Sequence, residues 1–287
     1  MISITAARFF GFLPEPEGLH DNLCGGPNRD ASEDLLANAA PLPTEALQLL
    51  RALPDFKSQD LTNTCVSHAI ANAAETRLRA LGNSIVEPSS VRQLYTLSNQ
   101  LLLAKPDDPL LDEGTYVRTC LKAAAEWGVA RDRDWPFRDS KTGKQNSVTE
   151  KVPPDVLQRA SSWKLDEQLT IYTKGEEKIR TVCAAIANLE PIVTAGVVDK
   201  TFLNYSGRGV LPAPNDLQVV GRHAVCLIGY RTSSTTKKKE FLLRNSWRQW
   251  GLILHSQPSL AWVTEEWILA QEEMYRIRVS RGRRTAA

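Results

Sequence analysis

The hydrophobic rhythm of the chain changes once along its length. From Cys65 onward Val66, Ala69, Ile70, Ala73 and Leu81 recur at helical spacing, and Gly82 with Asn83 ends the run. This predicts a buried helix with a close-packing, alanine-rich face. Thr62, Asn63 and Thr64 are all suitable caps for it. Pro88, Ser89 and Ser90 open a second helix through Val91, Leu94, Tyr95, Leu97 and Leu101, which Pro106 and Pro109 break. A third runs from Gly114 and Thr115 through Val117, Cys120, Leu121 and Ala124 to Gly128, and a fourth covers residues 176–189. Short β-like runs then follow at 191–198, 224–230, 240–244, 251–254 and 275–279, divided by Gly, Pro and lysine turns. A helical half therefore precedes a half that is mostly antiparallel sheet, with the polar stretch 138–155 expected as the loop between them. Residues 1–54 are rich in Pro, Gly and Asn and predict extended arms, turns and one short helix at 44–53.

At 287 residues the chain can form one large domain or two joined lobes. The expected division is an N-terminal arm at 1–55, a helical lobe at 56–160, a β-rich lobe at 161–280 and a basic tail at 281–287. A net charge of +2, with basic residues interspersed among acids outside residues 237–239 and 281–284, argues against nucleic acid as a partner. The five cysteines (Cys24, Cys65, Cys120, Cys183, Cys226) are odd in number, widely spaced and without a Cys-x-x-Cys, so neither a metal site nor a disulfide framework is expected. Cys120, Cys183 and Cys226 lie in apolar patterns and read as core. No basic leader with a long apolar run is present, which predicts no membrane association and a cytoplasmic location, or export by a route that needs no signal peptide.

Cys65 changes the picture from packing to chemistry. A cysteine in the first turn of a helix is a candidate nucleophile, because the partial positive charge there favours thiolate. Gln59, one loop upstream, can donate to an oxyanion forming beside the sulfur. The thiolate needs a base and the base an orienter. Of the four histidines, His20 lies in the irregular arm, His255 follows a β-run and reads as surface, and His68 shares the helix of Cys65, which limits approach of a carbonyl between them. His223 begins an apolar run and is expected at a sheet edge facing a cleft. The next strand delivers Asn245, whose carbonyl can fix the imidazole tautomer, and Trp247, which can shield that bond from water.

Together these residues resemble the papain-like cysteine peptidases, in their divergent bacterial branch. Three blocks carry the resemblance: residues 59–69, residues 222–230, and Asn245, Ser246 and Trp247 followed by Trp250 and Gly251. Weaker matches at 111–137 and from Pro191 to Val210 extend it over about residues 56–279. The resemblance implies an α+β fold, a helical lobe and an antiparallel β-barrel-like lobe with the cleft between them. It implies Cys65 as nucleophile, His223 as general base and acid, Asn245 as orienter, Gln59 with the Cys65 amide as oxyanion hole, and Trp247 as cover. Activity would be endopeptidase hydrolysis of a polypeptide through a thioester, with no cofactor and no metal. Other acyl transfers on the same triad (deamidation, isopeptide hydrolysis, transglutamination) stay open, as does a toxin, effector or binding module on this fold, and a protein inhibitor or immunity partner.

The sequence also departs from the family pattern. Val66 follows the nucleophile where Trp is usual, Asn63 and Thr64 replace a Gly-Ser pair, and Thr62 replaces a cysteine whose disulfide is therefore absent. Glu113 stands in the cleft wall beside Gly114, and Arg222 precedes His223, where a cation would disfavour imidazolium. Asn63, Thr64, Glu113, Gly114 and Arg222 are thus the expected substrate-cleft positions. The arm is shorter than the family's inhibitory prosegments; it either lies across the cleft or packs along the back of the lobes.

Overall fold

The helix opened by Cys65 organises the molecule. In a computed structural model, which describes residues 11–14, 35, 41–83, 86–165 and 169–279, strand β1 (Glu45–Ala46) and helix α1 (Gln48–Arg51) lead into α2 (Cys65–Ala80). Helices α3 (Val91–Gln100) and α4 (Val117–Glu126) pack beside it. Its alanine-rich face does what the pattern predicts: Ala69, Ala71, Ala73 and Ala74 are all buried, and small side chains let α2 lie directly on the sheet.

The later half supplies α5 (Pro154–Ala160), β2 (Leu169–Thr170), α6 (Gly175–Ala187), β3 (Ile192–Asp199), α7 (Lys200–Leu203), β4 (Val210–Leu211), β5 (Val219–Thr232), β6 (Lys239–Arg244), β7 (Leu252–Leu254), β8 (Gln257–Thr264), α8 (Glu265–Leu269) and β9 (Glu273–Arg276). The strands form one sheet in the order β2-β9-β3-β5-β6-β8-β4, with β1 on β5 and β7 on β8. All pairings are antiparallel except β4 with β8. The expected barrel-like lobe is thus a sheet that does not close on itself among the described residues.

Three further expectations are corrected. Residues 138–155 do not form a free connection between halves. Val148 and Val152 are buried, Thr96 Oγ1 donates to the Val148 carbonyl at 3.2 Å, and Arg92 Nε donates to that of Ser147 at 2.6 Å, so the stretch is stapled under α3. His223 does not begin its strand: β5 starts at Val219, and His223 pairs with Gly196 of β3 on one side only. The pairing of β5 with β6 begins only at Cys226 opposite Arg244, so the sheet opens on one side of His223. The eight-residue β8 was hidden in the sequence by Ser256, Pro258 and Ser259.

One continuous core joins α2, α3 and α4 to the sheet, so the two halves share their interior. A buried ion cluster adds to the join. Glu190 receives Arg276 Nε at 2.8 Å and Arg278 Nε at 3.2 Å, and Arg77 of α2 donates to the carbonyls of Asn188 and Leu189, both at 2.7 Å. Cys65, Cys120, Cys183 and Cys226 are free buried thiols, while Cys24, His20 and the basic tail lie outside the described residues. His255 is exposed in the β7–β8 turn.

Candidate active site

Cys65 is the first residue of α2 and is fully buried. The turn before it is held from within. Thr64 turns inward instead of lining the cleft: its hydroxyl pairs with Thr62 Oγ1 at 2.7 Å, and its carbonyl accepts from His68 N at 3.1 Å and faces His68 Nδ1 at 2.9 Å. His68 is buried against Phe137 and serves this turn. Gln59 is also buried. Its Nε2 donates to the Thr62 carbonyl at 2.9 Å, its Oε1 accepts from Ser246 Oγ at 2.6 Å, and its backbone N–H donates to the Ser246 carbonyl at 3.0 Å. The loop after β6 therefore sets the orientation of a carboxamide on the loop before α2.

The β side presents His223 and Asn245. Their side chains meet at 2.7 Å, His223 Nε2 to Asn245 Oδ1. The same oxygen accepts the backbone N–H of Ser246 at 2.7 Å, which identifies it as the acceptor end of the amide. His223 in its neutral form therefore carries its proton on Nε2, leaving Nδ1 as the basic nitrogen. Trp247 lies over the imidazole with ring centroids 4.4 Å apart, and Phe202 flanks both rings. Asn245 is fixed in turn by its backbone N–H to the Ser259 carbonyl at 2.8 Å.

Burial dominates the electrostatics. The Cys65 thiol is pushed up to about 11, although the backbone amides of Ala224, Gly11, Val66 and Cys65 oppose this. The Ala224 amide, next in chain to His223, places the sulfur against β5. His223 is pulled down to about 4 by burial, with Asn245 opposing. The helix-terminus effect anticipated for Cys65 is outweighed by desolvation here, and burial disfavours the charged form of both partners.

The remaining cleft positions divide. Asn63 N donates to Asp112 Oδ1 at 3.1 Å, and its Nδ2 donates to the Asp112 carbonyl at 2.6 Å. Tyr95 hydroxyl donates to Asp112 Oδ1 at 2.7 Å and accepts from Gly114 N at 3.0 Å, completing a clamp between the nucleophile loop and the wall. Glu113 is exposed on that wall. Arg222 does not face the cleft: strand alternation turns it away from His223, and it pairs with Glu272 at 3.2 Å. Sequence reasoning did not find Asp112, Tyr95 or Ser246 as parts of the site; Ser246 stood inside the quoted motif without its role being visible.

One segment of the arm reaches this place. Gly11 carbonyl accepts from Thr115 N at 2.8 Å, Leu13 N donates to the Thr115 carbonyl at 3.1 Å, and Phe12 is buried. A Cβ on Gly11 would stand 1.6 Å from the Asn63 carbonyl oxygen, and one on Gly114, whose φ is +104°, would stand 2.6 Å from that of Gly11. Two glycines thus let the arm backbone touch both the wall and the nucleophile loop.

A family model described as papain family cysteine protease matches residues 51–252. Among solved structures, the chain is similar to xylellain, a cysteine protease from Xylella fastidiosa, at 19% identity and a TM-score of 0.69, covering 96% of this chain and 97% of that one. It is similar to digestive procathepsin L 3 of the Tenebrio molitor larval midgut at 15% identity and 0.63, covering 94% and 76%. Bromelain from Ananas comosus in complex with the E64 inhibitor follows at 18% and 0.60, covering 83% and 100%. No curated protein sequence matches the chain. The match over most of its length shows that this chain belongs to the papain family of cysteine proteases, which are hydrolases.

Proposed function

We propose that this enzyme is an endopeptidase that cleaves polypeptides through Cys65, His223 and Asn245 by way of a thioester. The observation that carries the reading is the oriented imidazole, held at Nε2 by Asn245 under Trp247, on the strand whose next residue, Ala224, turns its amide to the cysteine that starts a buried helix. His223 Nδ1 takes the thiol proton, and the sulfur attacks the substrate carbonyl carbon. The oxyanion is stabilised by the Cys65 backbone N–H and the Gln59 carboxamide. As the C–N bond breaks, His223 returns the proton to the leaving amine, and then activates a water that cleaves the thioester and restores the thiol.

Hydrolysis of an unstructured protein substrate, read by mass spectrometry, tests this. Cys65→Ala and His223→Ala are expected to lose about a thousandfold or more in kcat, and Asn245→Ala about a hundredfold. Backbone cleavage that survives in Cys65→Ala would overturn the reading. Release of ammonia from glutamine side chains without backbone cleavage would replace it with a deamidase on the same residues.

We also infer that the arm keeps the enzyme latent. The support is the contact of Gly11 with Asn63, Gly114 and Thr115, and the burial that disfavours the charged forms of Cys65 and His223. Among the similar structures, procathepsin L 3 matches 94% of this chain. Removing residues 1–40 is expected to speed iodoacetamide labelling of Cys65 near pH 7 and to raise the hydrolysis rate; an unchanged rate of both, in a chain with native circular dichroism, would exclude latency.

A further inference from the structure

The peptide bond between Thr64 and Cys65 has two ends with separate duties. Its N–H, on Cys65, is one of the two proposed oxyanion donors. Its carbonyl, on Thr64, points the opposite way, into the first turn of α2. A peptide group is one conjugated unit, so whatever binds the carbonyl also changes the N–H.

Three donors converge on that carbonyl. Ser67 Oγ donates to it at 3.0 Å, the backbone N–H of His68 at 3.1 Å and His68 Nδ1 at 2.9 Å. Only the backbone bond belongs to ordinary helix geometry. The other two come from side chains, and Thr64, Ser67 and His68 are all fully buried. In such a low-dielectric setting linked hydrogen bonds polarise one another.

The donor sense at His68 is fixed. A carbonyl can only accept, so Nδ1 carries the proton. Nε2 is buried with no hydrogen-bond partner. Burial, assisted by the Lys57 cation, pulls the imidazole down to about 4, so a second proton is disfavoured. Phe137 meets the ring edge-on, with centroids 5.3 Å apart, and holds it in place. An apolar side chain would fill this position without an orphaned nitrogen, so packing alone does not account for an imidazole here.

The N–H end of the same peptide is kept for chemistry. Cys65 is the first residue of α2, where N–H groups have no intrahelical acceptor. Thr64 does not cap the helix with its side chain, which meets Thr62 Oγ1 instead. The Cys65 amide also lies close enough to its own sulfur to favour thiolate. Gln59, the other proposed donor, already donates from Nε2 to the Thr62 carbonyl. Much of the work at the oxyanion therefore falls to the Cys65 amide.

We propose that Ser67 and His68 are positioning residues for the oxyanion hole: by donating to the Thr64 carbonyl they polarise the Thr64–Cys65 peptide and aim its N–H, which then holds the oxyanion more strongly. Both act through the Cys65 amide. The proposal rests on the reading of Cys65 as the nucleophile of the peptidase and adds two residues to its machinery.

The first readout needs no turnover. The nitrogen resonance of the Cys65 amide reports hydrogen bonding at the carbonyl of the same peptide group. It is expected to move upfield in Ser67→Ala and in His68→Phe, and to return most of the way in His68→Asn, whose Nδ2 takes the place of Nδ1. The second readout is kinetic. Each linked bond strengthens a donor by roughly 10–30%, and a whole oxyanion donor is worth about a hundredfold or more in kcat. Ser67→Ala and His68→Phe are therefore each expected to lower kcat about two- to sevenfold with KM unchanged, and His68→Asn to recover most of the loss. Alkylation of Cys65 by iodoacetamide occurs at a saturated carbon and forms no oxyanion, so its rate should stay at the wild-type value. A merely structural role would slow alkylation and hydrolysis together. Hydrolysis of a p-nitrophenyl ester is followed beside that of a peptide, because the same hole serves any acyl transfer. Slower ester hydrolysis in the variants of a chain that cleaves no peptide would uphold the role and remove the endopeptidase reading. A Cys65 nitrogen resonance that stays in place in both folded variants, or equal losses in alkylation and hydrolysis, would overturn the proposal.

Discussion

Single residues set the protonation state of the site, and that state has a measurable cost. His223 and His68 are both fully buried and both pulled down to about 4, chiefly by desolvation. Each binds its proton more readily in the unfolded chain, so stability falls as pH drops from about 6.5 toward 4 and recovers as pH rises. A depression of this size corresponds to about 3 kcal/mol per histidine. Asp112 and Asp132, raised by burial, work in the opposite direction. Urea unfolding between pH 4 and 7, comparing the wild type with His68→Phe, isolates one of these groups. The variant is expected to lose the dependence belonging to about one proton, and identical pH slopes would show that His68 is not buried as a neutral group. Residue identity made much of the site legible: Gln59, Cys65, His223, Asn245 and Trp247 can be picked out by chemical type. The sense of the Cys65 shift was not legible, because helix-terminus stabilisation can be read from position whereas desolvation depends on what folds over the sulfur.

At the scale of elements, the sequence exposes those with a clear period. Helices α2, α3, α4 and α6 fall within a few residues of their predicted spans because each carries an apolar stripe over ten residues or more. Short elements such as α5 and α7 offer too few positions for a stripe. The wall clamp was hidden for a different reason. Asn63, Tyr95 and Asp112 come from three separate segments, and nothing in their spacing says that they converge. Because Asp112 joins the nucleophile loop to the wall, Asp112→Ala is expected to loosen the wall more than the sulfur. It removes acceptors from Asn63 N and Tyr95 and should cost about 1–3 kcal/mol of stability. In steady-state kinetics KM is expected to rise several-fold with kcat nearly unchanged, and Tyr95→Phe to do the same more weakly. A fall in kcat at constant KM would mean instead that the clamp positions Cys65.

For the whole molecule, the question is whether an arm that meets a site built from both halves also governs it. The body of the enzyme depends little on it: the sheet and α2 are assembled from residues beyond 41, and the described arm residues give the shared core Phe12 and Leu35. The arm holds its place by two backbone hydrogen bonds to Thr115, the burial of Phe12, and a contact that only glycine permits at position 11. Gly11→Val is therefore a substitution that the body tolerates and the arm does not. A side chain there would meet the Asn63 carbonyl, which is itself fixed through Asp112, so the arm must move rather than the loop. Losing two hydrogen bonds of about 0.5–1.5 kcal/mol each shifts the covered-to-open balance by about fivefold or more. Labelling of Cys65 near pH 7 should quicken by that factor. Its pH midpoint should fall below the value of about 11 set by burial, because water returns to the thiolate and the Ala224, Val66 and Cys65 amides still support it. Thermal stability should fall by no more than these bonds and the burial of Phe12 contribute, because the rest of the shared core is kept. Unaltered labelling in a folded Gly11→Val chain would mean that the arm touches the cleft without governing it.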